Sequence, residues 1–83
     1  MNPPLRNTVL VELTHKSASG RWDCGRCGHP WPCAPGRGEL TASFGGDRVA
    51  LAMYMATELV RAARELREPT PAQLHERFIA WTR

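Results

Sequence analysis

The chain of 83 residues lacks long apolar runs, which excludes a transmembrane helix of the usual length of about 20 residues. The first residues, 1–6, have no apolar stretch behind them and do not resemble a signal peptide, so we expect a cytoplasmic location. Lysine occurs once against ten arginines, and the net charge is only +3. So mild a balance is weak evidence for a nucleic-acid partner.

Cysteine is also scarce, and its odd number excludes complete pairing into disulfides within one chain. The three cysteines are Cys24, Cys27 and Cys33, all in one short segment. The first two have the C-x2-C spacing that lets both thiolates reach one metal ion. In a reducing compartment, clustered cysteines more often indicate metal or redox chemistry than a structural bridge. The alternative, buried thiols acting as small apolar side chains, is the weaker interpretation.

Two histidines compete for a fourth ligand position. His15 lies nine residues before Cys24, across a Ser/Gly loop, and can approach the cysteines from the far side. His29 lies inside the cysteine segment but directly precedes a proline, which restricts its backbone. We therefore predict His15, Cys24, Cys27 and Cys33 as the metal ligands. His75 falls on a predicted helix, where exposure to solvent is the expected state.

The predicted ligand set favours zinc. Three thiolates and one imidazole form a standard closed zinc environment, and closed sites are structural. An iron–sulfur cluster is the rival, because thiolates also hold such clusters. The two differ in colour, so a colourless protein with one zinc per chain would exclude the cluster.

The composition predicts a single domain over residues 1–83, with a metal-binding loop segment at 1–38 and a helical segment at 39–83. The expected fold class is mainly α, with a short N-terminal strand at 8–14 and the cysteine loop packed on a C-terminal helical pair. Residues 21–38 contain too many prolines and glycines for regular structure to be expected there. A short helix at 38–44 is a further, weaker expectation.

Two helices have clear sequence signals. Asp47 is a predicted N-cap for a helix that runs to about Arg67, before the helix breaker Pro69. Thr70 is the predicted N-cap of the last helix, with a capping-box pattern completed by Gln73.

The first of these helices has an apolar arc wider than a surface helix needs, which indicates either the centre of a small core or half of an oligomer contact. The core interpretation is favoured. One side of the helix carries the larger apolar residues Leu51, Met55, Leu59, Ala62 and Leu66. The last helix presents a stripe of Leu74, Phe78 and Trp81.

The chain resembles a family of small uncharacterised actinobacterial proteins. The shared pattern is a histidine, then W-x-C-x-x-C-G-x-x-W-P-C, and finally R-F-x-x-W-[TA]-R, which here spans 77–83. The resemblance supports His15 as a ligand. Some members are called flavin reductases, yet this chain has no glycine-rich phosphate loop and is too short for a flavin domain. The cysteine spacing is also similar to WhiB-like iron–sulfur regulators, without their upstream cysteine or their Gly-Val-Trp-Gly-Gly turn.

These observations predict a small, non-enzymatic, zinc-stapled module that binds a protein partner or regulates one. A nucleic-acid-binding regulator is the first alternative, and an iron–sulfur or thiol redox protein is the second. Trp22 and Trp31 bracket the cysteines and are expected to cover the site rather than to stack on bases. Homo-oligomerisation is compatible with the wide apolar arc, and no membrane contact is expected.

Overall fold

The computed structural model describes residues 13–18 and 20–83, and within them the chain is mainly helical. The helices are α1 (Ala34–Ser43), α2 (Arg48–Glu65) and α3 (Pro71–Phe78), followed by a 3-10 turn at Ala80–Thr82. The predicted mainly α class is confirmed for this part of the chain. The predicted strand at 8–14 falls mostly outside the described residues, and its last two positions, Leu13 and Thr14, form no strand. Among the described helices, none is both long and apolar enough to span a bilayer.

Helix α2 begins where the sequence predicted. The Asp47 carboxylate accepts a hydrogen bond from the backbone N–H of Ala50 at 2.9 Å, which satisfies one of the free donors of the first turn. The helix ends at Glu65, where Leu66 adopts an extended backbone, slightly before the predicted end at Arg67.

Helix α3 has the predicted capping box. The Thr70 hydroxyl accepts from the Gln73 N–H at 3.1 Å, and the Gln73 side chain accepts from the Thr70 N–H at 2.8 Å. The helix stops at Phe78, so the predicted apolar stripe crosses a helix end. Its last member, Trp81, lies half-buried in the 3-10 turn.

Helix α1 corrects the prediction that residues 21–38 lack regular structure. It starts at Ala34, four residues before the helix expected at 38–44. Pro35 is tolerated because it occupies the first turn, where its missing N–H would have no partner within the helix. The prolines and glycines therefore mark a helix start in the second half of this segment.

The core joins the cysteine loop to all three helices. Trp22, Trp31 and Phe78 form its aromatic centre, with ring centroids 5.7–6.1 Å apart. The buried core residues are Trp22, Cys24, Trp31, Cys33, Leu40, Leu51, Met55, Ala62, Leu74 and Phe78. Because the loop supplies two tryptophans and two cysteines to this core, the helices bury part of their apolar surface against it.

The wide apolar arc of α2 is only partly used by the core. Leu51, Met55 and Ala62 are buried as expected. Glu58 lies on the buried side of α2 as well: it is only 8 % exposed, and its carboxylate pairs with Arg61 at 3.1 Å. Another part of the arc faces away from the core.

Candidate metal centre

Two antiparallel bridges bring His15 to the cysteines. Ser17 pairs with Cys24, and Asp23 pairs with Pro30, so the backbone around Cys24 lies between two neighbouring segments. Backbone hydrogen bonds from Gly25 N–H to the Lys16 carbonyl at 2.9 Å and from Cys24 N–H to the His29 carbonyl at 2.7 Å hold this arrangement. The first pairing places the residues just before Ser17, among them His15, beside the cysteine turn.

The turn from Cys24 to Gly28 directs backbone donors at sulfur. The Gly28 N–H donates to the Cys24 carbonyl at 2.9 Å and closes the turn, and the φ of +79° at Gly28 is one that glycine adopts readily. The Arg26 N–H points at the Cys24 Sγ at 3.3 Å. This N–H donor stabilises a thiolate at Cys24 independently of any bound cation.

Cys33 occupies the N-cap position of α1. The free N–H groups and the positive end of the helix dipole lie at this terminus and favour a negatively charged sulfur. The position of Cys33, the last predicted ligand along the chain, is therefore fixed by a helix, whereas the positions of Cys24 and Cys27 are fixed by a turn.

The four predicted ligand atoms form one compact cluster. The Nδ1 of His15 lies 3.3 Å from the Cys24 Sγ and 3.4 Å from the Cys33 Sγ. All four atoms, including the Cys27 Sγ, lie within 4.8 Å of one another. A tetrahedral zinc site with Zn–S of about 2.3 Å and Zn–N of about 2.0 Å has ligand separations of about 3.5–3.8 Å. The donor set and its spacing therefore fit a four-coordinate metal ion, and the cysteines are free thiols without a disulfide.

His29 is not part of this group. It is exposed, and the structure assembles the cysteines with His15 instead. His75 is exposed on α3, as expected of a helix-surface residue.

The cysteine pKa values show how the cluster responds to crowding of its sulfurs. Burial opposes ionisation of Cys24, but the N–H groups of Cys27 and Arg26, with His15 and Cys33, lower its pKa to about 6. Burial raises the pKa of Cys33 to about 11, and the sulfurs of Cys24 and Cys27 add to this effect. The Cys24 thiol ionises readily while the Cys33 thiol resists, because burial and then the neighbouring sulfurs oppose a second negative charge. A divalent cation removes that conflict by compensating the thiolates together.

The backbone of His15 is held on both sides. The Glu39 carboxylate accepts from the His15 N–H at 2.9 Å and also binds Thr14 through its N–H and hydroxyl. The Trp31 indole N–H donates to the His15 carbonyl at 2.9 Å. The Thr14 hydroxyl and the His15 N–H hold the pKa of Glu39 below its ordinary value. Sequence reasoning did not identify Glu39, whose partners lie 24 and 25 residues away.

Gly36 is a second residue that sequence reasoning missed. It is buried in the first turn of α1, against the metal centre. A Cβ added there would lie 3.3 Å from the Cys33 Sγ, 3.4 Å from the His15 Cβ and 3.5 Å from the Trp31 Nε1. The absent side chain therefore lets α1 approach two ligands and the indole that orients one of them.

Gly36→Ala is expected to weaken zinc affinity by about tenfold, because His15 and Cys33 must shift to accommodate the methyl group. Gly38→Ala is the matched control, since the same change two residues later in α1 meets nothing within 4 Å. We expect it to keep the affinity and to raise the stability of the loaded protein by about 0.5–1 kcal/mol. Competition against a zinc-binding indicator and thermal melts measure both effects. Equal affinities for the two variants would contradict a crowding role for Gly36.

Arg77 connects α3 to the cysteine loop. Its Nε donates to the Trp31 carbonyl and its second guanidinium nitrogen donates to the Trp22 carbonyl, both at 2.7 Å. The backbones of Trp22 and Trp31 are also paired directly, because the Trp31 N–H donates to the Trp22 carbonyl at 2.9 Å. A planar guanidinium suits two acceptors held in fixed positions. Arg77 therefore clamps the loop ahead of Cys24 to the loop ahead of Cys33.

Trp22 and Trp31 are buried in the core that also contains Cys24 and Cys33. They are 2 % and 4 % exposed, and both pack on Phe78. Trp22 also donates its indole N–H to Glu65 at 2.7 Å, under the Arg61 guanidinium. Buried rings of this kind are not available for stacking on nucleic-acid bases, as the sequence analysis expected.

No family model, curated protein or solved structure matches this chain.

Proposed function

We propose that the chain is a small, non-enzymatic interaction module whose fold is stapled by structural zinc. The observation that carries this proposal is the meeting of His15, Cys24, Cys27 and Cys33 within 4.8 Å. Four protein ligands complete a tetrahedral zinc site, and a completed site leaves no position for a substrate or an activated water. The ion would supply charge compensation and cross-linking.

The position of the cluster supports a structural role for the metal. Cys24 and Cys33 are 3 % and 5 % exposed and belong to the same core as the helices. His15 ties the segment before the loop to α1 through Glu39. A metal held there would join three parts of the chain that are far apart in sequence, which is how structural zinc contributes folding free energy in small domains.

Elemental analysis of the native protein, combined with a pair of histidine variants, tests this proposal. We expect one zinc per chain in the parent protein and in His29→Ala. His15→Ala is expected to lose at least about tenfold in zinc affinity and to change the cobalt-substituted spectrum, because one of four ligands is removed.

Two results would contradict the proposal. Stoichiometric iron with acid-labile sulfide would indicate a cluster, which is the iron–sulfur alternative. Unchanged zinc affinity in His15→Ala together with a loss of affinity in His29→Ala would show that His29, and not His15, is the fourth ligand. Circular dichroism of both loaded variants separates a ligand effect from general misfolding.

A further inference from the structure

Part of the wide apolar arc of α2 is turned to solvent. Val49, Met53 and Val60 are 71 %, 67 % and 49 % exposed, although each is a large apolar side chain. At 100° per residue they lie on the side of the helix opposite the buried Leu51 and Met55. We call this the α2 apolar face, formed by Val49, Ala52, Met53, Ala56 and Val60. It spans about three helical turns, or about 16 Å.

The α2 apolar face borders a groove. Ile79, directly after α3, also lines this groove, which is a shallow and open depression of about 530 Å³. The small Ala52 and Ala56 line it beside the larger Val49 and Met53. Small residues between larger ones leave a depression that side chains from another helix can fill as ridges fill grooves. The shape therefore suits a helical partner.

The charged side chains that line this groove are of one sign. Two charged residues line it, Arg48 and Arg83, and both are exposed cations. The nearest side-chain carboxylate along the chain, that of Asp47, caps α2 by accepting from the Ala50 N–H and does not line the groove. The carboxylates of Glu58 and Glu65 in α2 are directed to Arg61 and to the Trp22 indole. A second copy of the chain would present the same face, whose lining, within the part of the chain that the structure describes, has no acidic side chain to pair with these arginines. The complementary partner carries carboxylates beside its apolar side chains.

We propose that the α2 apolar face is a docking groove for an acidic amphipathic helix of a partner protein. The partner would present apolar residues at i, i+3 or i+4, and i+7 to the groove, and carboxylates to Arg48 and Arg83. This inference rests on the proposed interaction-module function and assigns a surface and a partner class to it. The metal centre holds the core behind α2, and the opposite side of the helix makes the contact.

Three synthetic helical peptides of about 18 residues test the proposal, sharing one leucine stripe and carrying Glu, Gln or Lys on both flanks. Fluorescence anisotropy with the zinc-loaded full chain measures each affinity. We expect the Glu peptide to bind at least about tenfold more tightly than the Lys peptide, with the Gln peptide between them. Met53→Glu should weaken binding of the Glu peptide by about tenfold or more. Arg48→Glu combined with Arg83→Glu should reverse the order of the peptides.

Ala72→Glu is the control, because it adds the same charge at an exposed position in the first turn of α3, outside the groove. It should bind the Glu peptide as the parent does. Equal binding of the three peptides, no binding of any, or insensitivity to Met53→Glu would overturn the proposal. So would a dimer in sedimentation equilibrium that Met53→Glu dissociates, or Met53-dependent binding to phosphatidylglycerol vesicles without peptide binding.

Zinc content and a thermal melt, measured first for every variant, separate the two proposals. A loaded, folded protein that ignores all peptides contradicts the docking groove alone. A folded native protein without zinc contradicts the zinc-stapled module, whatever the peptides do.

Discussion

Removal of zinc from the proposed site is expected to unfold most of this protein. A domain of this size rarely obtains more than about 5 kcal/mol from its hydrophobic core. Structural zinc in finger-type peptides contributes about 10–16 kcal/mol of apparent binding free energy at neutral pH. Here the ligands Cys24 and Cys33 are themselves core residues, and the loop between them supplies Trp31. Loss of the ion would therefore remove one side of the core.

A high-affinity chelator added to the zinc-loaded protein tests this expectation. We expect the far-ultraviolet circular dichroism of the helices to fall and the tryptophan fluorescence to shift to the red, as Trp22 and Trp31 become exposed. Zinc added back should restore both signals. In both signals, Cys27→Ser should be closer to the chelated protein than to the zinc-loaded parent. His29→Ala should melt as the parent does. An unchanged cooperative melt after complete metal removal would contradict a structural role.

Loss of the Arg77 clamp is expected to have the second largest effect. Arg77→Ala deprives the Trp31 carbonyl of a 2.7 Å charge-assisted hydrogen bond, while the Trp22 carbonyl keeps the Trp31 N–H. A buried acceptor left without its partner costs about 1–3 kcal/mol, so we expect a total loss of about 2–3 kcal/mol. For a domain of this size, that loss lowers the melting temperature by about 10–20 °C.

Arg77→Lys sharpens this test, because a lysine retains the charge but lacks the planar fork that reaches two carbonyls. We expect it to recover less than half of the loss. Arg64→Lys, at an exposed position of α2, is the matched control and should change the stability by no more than about 0.5 kcal/mol. If Arg77→Lys is as stable as the parent, Arg77 contributes only its charge, and its proposed role as a clamp between the two carbonyls is contradicted.

The local signals of the sequence were sufficient to predict where α2 and α3 begin. Asp47, Thr70 and Gln73 act on backbone groups within three residues of themselves, so their roles are visible in a short window. The start of α1 was missed because Pro35 and two glycines were interpreted as helix breakers. The first turn of a helix is the one place where proline has little cost, and Cys33 before it is an unusual cap.

The cluster of His15 with the cysteines was predictable because ligand chemistry restricts the choice to few residue types. The residues that position those ligands were not predictable. Glu39 acts on His15 across 24 residues, and Arg77 acts on Trp22 across 55. Gly36 acts through the absence of a side chain. Contacts of this kind depend on how the folded segments meet, and no short pattern encodes them.

Because Cys33 is the N-cap residue of α1, metal binding at the proposed site would be coupled to the start of that helix. Starting a helix is costly because several backbone angles must be fixed before the first hydrogen bond forms. The α1 sequence has a proline and two glycines in its first half and is a poor helix former alone. An ion that holds the Cys33 sulfur would fix the N-cap in advance and lower that initial entropic barrier. Metal uptake would then act as the nucleation event for α1, and zinc availability would govern when this part of the chain folds.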